Sequence, residues 1–411
     1  MAKSIVLCSD GTGNAFEERA TNVSMLIRSV DLRCSPAPDR LQIAFYDQGV
    51  GTNPGLIADA KAYSKSRPEA EMLTVLPEPQ TPRWMPGPVA RLRGLVDGYG
   101  LDRNLKELVR ALAEHYKEGD SIYLFGFRRG AFTVRAVAGF LYRCGLPRPG
   151  QHFDTWFADG FTLYSVHFPP AGHVESFRER SQLIKIDFLG LWDTVKSYGG
   201  VCPISWPHLR HNPAVKVVRH ALALDEQRAW FQHTTWGSAH EKLSGEPLEQ
   251  DEGYQTQDVE EVWFRGYHSD IGGGNDEQES ARVALLWMLG EAANFGLQLN
   301  DDGKNRFDNT GDFNRKVETH ETYPRWWPAV GAIPRQELHN DCRPPRRTVA
   351  IGARSLRDPQ LPQLQDSRQP REVLVHVSAL DAVHLPRVRP IRTRPLPSVV
   401  PMQAAQIEPE Q

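Results

Sequence analysis

No apolar run of about 18 residues occurs anywhere in the 411-residue sequence, so no segment is expected to span a membrane. The N-terminus, MAKSIVLCSDG, lacks the basic-then-apolar profile of a cleaved leader, because Asp10 arrives too soon. A soluble, cytoplasmic protein is expected, exported if at all by a route without a cleaved signal. An excess of charge of one sign is also missing. Forty-eight Lys and Arg face 51 Asp and Glu, and a net charge of -3 argues against a nucleic-acid binder driven by phosphate neutralisation. Cysteine is scarce: Cys8, Cys34, Cys144, Cys202 and Cys342 are scattered, odd in number and without metal-ligand spacing. They read as buried thiols in a reducing compartment.

What is present is a hydrophobic fraction of 40%, enough for a sizeable core, arranged as strands alternating with helices. SIVLC (Ser4 to Cys8) is a short apolar strand stopped by SDGTGN, and LQIAFYDQGVGT repeats that grammar. A helix capped by Asp102 follows, with Leu105, Leu108, Val109 and Leu112 on one face. Then come the strand SIYLF, the helix GAFTVRAVAGFLYRCG, and the strand LIKIDFLGLWD ending at Asp193. AVKVVRHALALDEQRAWF reads as a helix, VEEVWFRGYHSDIGGG as a strand entering a Gly-rich loop, and ESARVALLWMLGEAANFG as a helix closed by Gly296. Such alternation predicts an α/β fold with a mostly parallel sheet covered by helices on both faces. One domain is expected over 1–385, with an irregular Pro-rich insertion at about 66–90 and REVLVHVSALDAV as its final element. Residues 386–411 read as a flexible Pro/Arg-rich tail.

Several polar residues follow strands, where parallel sheets place their sites: Asp10, Asp47, Arg128, Asp193, His268 and Asp270. Gly126, Phe127, Arg128, Arg129 and Gly130 match the G-x-S-x-G nucleophile elbow, strand before and helix after, at every position but the central one. Asp193 and His268 follow in the order that acid and base take in such hydrolases. Asp193 could instead cap a helix, His268 could be structural, and Asp270 could only shape a turn. In SDGTGN, Asp10 lacks the second aspartate of a phosphotransferase loop. The stretch Asp10, Gly11 and Thr12 is therefore expected to line an oxyanion site. Tyr46, Asp47, Gly49, Gly51 and Thr52 form a neighbouring wall or a purely structural element. Asp10, Asp193, His268 and Asp270 are also metal-ligand types, but their spacing matches no metal signature, and no metal or other cofactor is expected.

The blocks VLCSDGTGN, YDQGVGT, GYGLDRNLKE, GDSIYLFGFRRGAFTVRAVAGFL, FLGLWDTV, HALALDEQRAWF and VWFRGYHSDIGGG, more weakly VHVSALDAV, resemble an α/β-hydrolase family that includes type VI secretion phospholipase effectors. The resemblance runs from about Ser4 to Val383. It implies an α/β-hydrolase-like core, hydrolysis of lipid esters by a Ser-Asp-His triad, a lipid or ester substrate, delivery by a specialised secretion system, and a secretion or immunity protein as partner. Asp193 would be the acid and His268 the base, with Asp10, Gly11, Thr12, Arg129 and Asp270 around the site. The departure is at the apex, where Arg128 stands in place of the family's serine. A guanidinium has no nucleophilic oxygen and stays protonated, which excludes an acyl-enzyme through residue 128. The resemblance thus implies a catalytically silent hydrolase; the alternative is a non-catalytic binding protein that clamps an anion or a partner in the old site.

Overall fold

A computed structural model describes residues 2–11, 20–33, 40–48, 61, 65, 72–76, 101–195, 198–199, 202–203, 206–226, 228, 231, 234–236, 257–275, 278–308, 320, 335–337, 346–348, 373–376 and 399–402. Its central element is a nine-stranded sheet. In chain order the strands are β1 (Ser4–Ser9), β2 (Gln42–Asp47), β3 (Leu73–Val75), β4 (Ser121–Phe127), β5 (Ile186–Trp192), β6 (Val215–Ala223), β7 (Asp258–Phe264), β8 (Val373–His376) and β9 (Val399–Met402). Across the sheet they lie in the order β9-β8-β7-β6-β5-β4-β1-β2-β3. Every neighbouring pair is parallel except β8 with β9. Strand β3 falls inside the expected Pro-rich insertion and β9 inside the expected tail; the rest of both segments lies outside the described residues.

From β1 the chain steps outward through β2 to β3, then returns to β4 on the other side of β1 and continues through β5, β6 and β7. The direction of winding therefore reverses between β1 and β4. The crevice outside the carboxyl ends of two such strands is where open α/β sheets place their sites. Here those ends carry Asp10 and Arg128.

Both sheet faces are covered, which is why the strands read as apolar runs. On one face Val6, Cys8, Tyr123, Phe125, Phe127 and Phe188 pack against α1 (Asn22–Ser29) and a later helix, Glu279–Asn294. On the other, Ile5, Leu7, Leu124 and Leu189 pack against α2 (Leu101–His115), α3 (Arg129–Cys144) and α4 (Phe153–Tyr164). The predicted stripe of α2, Leu105, Leu108, Val109 and Leu112, is fully buried, each side chain contributing roughly 1.5–3 kcal/mol. Asp102, the expected cap, lies instead within the first turn of α2. Helix α5 (His173–Arg178) follows α4; α6 (His268–Gly272), α7 (Glu279–Asn294) and α8 (Asp301–Asp308) follow β7. Gly296 closes α7 with φ 98°.

The expected helix over AVKVVRHALALDEQRAWF is instead strand β6, paired on both sides by β5 and β7. Apolar residues at 215, 217, 218, 221 and 222 fit either period, and a strand buried on both faces shows no alternation. Two of its polar side chains are buried and paired: Arg219 bonds Glu291 of α7 (2.6 Å) and Asp258 of β7 (2.9 Å), and His220 meets Glu261.

Candidate active site

The tight turn from β4 into α3 puts Arg128 at φ 57° and ψ -121°, a conformation that costs a non-glycine residue about 1–3 kcal/mol. The flanking glycines make it possible. A Cβ on Gly126 would lie 2.6 Å from backbone atoms of Gly130 and Ala131, and one on Gly130 would lie 2.0 Å from the Ser9 carbonyl oxygen. The turn thus seats α3 directly against the end of β1.

Asp193 follows β5 and is also left-handed, at φ 35°. Its N–H donates to the Ala221 carbonyl at 2.7 Å, and its Oδ1 accepts from Ala223 N at 3.1 Å, so the end of β6 orients the carboxylate. Its Oδ2 meets Nδ1 of His268, the first residue of α6, at 2.6 Å, with both side chains fully buried. The His268 ring lies between Phe127 and Phe231, with centroids at 4.8 and 5.1 Å. Its Nε2 is buried and has no hydrogen-bond partner among the described residues. Burial is the main cause that lowers the imidazole pKa to about 4; Asp193 opposes the shift and the Arg128 charge adds to it. The ring is therefore neutral at ordinary pH, donating from Nδ1 to Asp193 and keeping a lone pair on Nε2.

Glu226, in the loop after β6, is a site residue the sequence reading did not single out. Its Oε2 accepts from the His268 backbone N–H at 3.2 Å, and its two oxygens grip Arg228 at 2.7 and 2.8 Å. Burial would raise this carboxyl, but the Arg228 hydrogen bonds and charge hold it below the ordinary range. Behind Asp193, His220 Nε2 accepts from Thr194 N at 3.2 Å while Nδ1 meets Glu261 at 2.8 Å, a second buried imidazole–carboxylate pair. The misassigned helix concealed both features, because only a strand ending at Ala223 brings Glu226 beside α6.

The remaining expected site residues have other work. Asp10 is buried and accepts from Thr21 Oγ1, from the Tyr46 hydroxyl at 2.9 Å and from Gly11 N at 2.6 Å. The Gly11 N–H is thereby engaged with Asp10 rather than presented to an oxyanion. Thr12, Gly49, Gly51 and Thr52 lie outside the described residues. Asp47 ties Ser9 to Asn104. Asp270 caps its own helix through Tyr267 N at 2.9 Å and bonds Ser280 and His320, at 3.1 and 2.7 Å. Among the described residues no three metal-ligand side chains converge. Arg129 opens α3, half-buried, its pKa lowered to about 10 by burial and by Arg128.

Comparison with known proteins places most of this chain in a family. Residues 3–291 match the family described as "T6SS, Phospholipase effector Tle1-like, catalytic domain". The chain belongs to the Tle1-like phospholipase effector family. A relative of this Tle1-like domain, an uncharacterized protein of Saccharomyces cerevisiae, is 29% identical in an alignment of 246 residues that covers 56% of this chain and 32% of the relative. Among solved structures, an uncharacterized protein from Pseudomonas aeruginosa aligns with TM-score 0.41 and 21% identity, over 74% of this chain and 48% of that one. The Tle1 effector bound to the VgrG spike of the type VI secretion system aligns with TM-score 0.30 and 16% identity, over 67% and 52%. The Tle1-like chain thus spans about a third of the yeast relative and about half of each solved chain. No described helix is long and apolar enough to cross a membrane.

Proposed function

We propose that this chain is an esterase-type domain of the phospholipase effector family whose nucleophile position is held by Arg128, and that as it stands it does not turn over lipid esters. One observation carries the reading: the fully buried His268–Asp193 pair at 2.6 Å, with Nε2 unpartnered, beside an apex that retains the strained backbone of a nucleophile elbow. With a serine at 128, His268 Nε2 would take the hydroxyl proton as the oxygen attacks the ester carbonyl. Asp193 would hold the tautomer and stabilise the imidazolium that forms. The backbone N–H after the apex, that of Arg129, would face the developing oxyanion. With Arg128 the base has no proton to remove from a nucleophile, so hydrolysis by this route stops at its first step.

Family membership supports a lipid ester as the substrate class and delivery by a secretion apparatus as the cellular setting. The decisive experiment is Arg128→Ser, assayed on short-chain esters and on phospholipid vesicles beside the unaltered chain. Hydrolysis by the serine variant alone supports the reading. A folded serine variant without activity refutes it.

A further inference from the structure

Arg128 leaves a charge unanswered. Its guanidinium, on a half-buried residue, makes no hydrogen bond or ion pair with another described residue, and it lies 5.8 Å from the Phe127 ring centroid. The carboxylates around it are engaged. Asp193 serves His268 and Ala223 N; Glu226 serves Arg228 and the His268 N–H; Asp10 serves Thr21, Tyr46 and Gly11. Burial is the main cause that lowers the Arg128 pKa to about 10; the Arg228 charge adds to the shift, and the Asp10 and Glu226 charges oppose it. The sixteen-residue helix α3 also begins here, with its partial positive end at the apex and no side-chain cap.

His268 supplies the second, independent observation. Its Nε2 is fully buried without a partner, a situation that proteins rarely leave unresolved. In the tautomer fixed by Asp193 this nitrogen is an acceptor. One ligand that answers both groups must offer oxygens to the guanidinium and a proton to the imidazole. Sulfate, a carboxylate and a phosphodiester offer only oxygens near neutral pH. Inorganic phosphate carries both, since each of its forms near neutral pH keeps a P–OH, and a phosphomonoester, with a second pKa of about 6, carries both as its monoanion.

We propose that the apex of the β4–α3 turn and His268 together bind a hydrogen phosphate group, Arg128 holding its oxygens and His268 Nε2 accepting its P–OH proton. The inference rests on the preceding reading for one point, that residue 128 stands opposite His268. It makes the Arg128 chain a binder of phosphomonoesters at a site where its relatives would cleave esters.

Calorimetric titration of the full chain with inorganic phosphate, glycerol 3-phosphate, sulfate and glycerophosphocholine tests it. One equivalent of phosphate or phosphomonoester is expected to bind about tenfold more tightly than sulfate or the diester. Arg128→Ala is expected to weaken phosphate binding by about 10- to 100-fold, the worth of one or two charge-assisted hydrogen bonds. Arg128→Gln, closer in size, provides the same comparison if the alanine chain does not fold. Vesicles containing phosphatidic acid, set against free phosphate, separate a lipid headgroup from the free anion as the source. The proposal is overturned if the unaltered chain binds no phosphate, if the variants bind it equally well, or if sulfate matches it. A serine variant that hydrolyses nothing while the unaltered chain binds phosphate would sink the hydrolase reading alone; the reverse result would sink only the phosphate site.

Discussion

Lowering the pH should destabilise this domain before its carboxylates protonate, because the fold buries neutral histidines. His268 is pushed down to about 4 chiefly by burial, with Arg128 adding to the effect and Asp193 and Glu226 opposing it. His208 is pushed down to about 3 by burial and by the nearby Arg143, whose Nη2 donates to its Nε2 at 3.2 Å. His220 shifts in the same direction, again mainly through burial, with Glu261 opposing and Arg135 adding to the shift. A histidine whose folded pKa lies below its unfolded value of about 6.5 gives stability that is complete above that value and is lost as pH falls towards the folded one. At about pH 5 the unfolded imidazole is almost wholly charged while the folded one is not. For His268 and His208 the integrated loss is about 2 kcal/mol each. A fall of about 4 kcal/mol between pH 7.5 and 5 is therefore expected from these two, out of a total that is typically about 5–15 kcal/mol. Urea unfolding followed by tryptophan fluorescence at pH 7.5, 6 and 5 measures it. His268→Gln and His208→Gln should each flatten the pH dependence by about 2 kcal/mol, whatever they do to absolute stability. A stability constant over this range, or variants with unchanged slopes, would refute the reasoning.

Gly130→Ala would press a Cβ to 2.0 Å from the Ser9 carbonyl oxygen and 2.4 Å from its carbon, backbone against backbone. Destabilisation of about 3 kcal/mol is expected from urea midpoints, and a change within about 0.5 kcal/mol would show that the turn is looser than described. Glu226→Ala strips Arg228 and the His268 N–H of their acceptor and should cost about 3 kcal/mol. It should also lower the His268 pKa further, readable by NMR titration, since the Glu226 charge now raises it. In an Arg128→Ser background that hydrolyses esters, Asp193→Asn should reduce kcat by about 10⁴-fold through loss of the tautomer. A small effect on kcat would remove Asp193 from the mechanism.

The turn was legible in the sequence because glycines two residues either side of residue 128 answer to one steric requirement, and the surrounding strand and helix had clear patterns. Asp193 and His268 were legible as polar residues just beyond strands, where a parallel sheet opens its crevice. Strand β6 was not, since a run buried on both faces loses the period that separates strand from helix, and Glu226 was lost with it. Asp10 and Asp270 looked like pocket residues because sequence gives a carboxylate's neighbours along the chain but not across it. Their bonds to Tyr46, 36 residues away, and to His320, 50 residues away, could not be read from the sequence. The three histidines that make the fold acid-sensitive stand in unremarkable contexts, and only burial marks them.

Gly272 has no side chain where one would meet the Phe127 ring at 1.9 Å, so the helix that carries His268 rests directly on the residue before the apex. Apex and base are thus parts of one rigid joint rather than two loops that must find each other. Whatever residue stands at 128 is delivered to the same place relative to the imidazole, so geometry and chemistry at this site can change independently. On the reading proposed above, one side chain would exchange cleavage for capture without the scaffold having to be rebuilt.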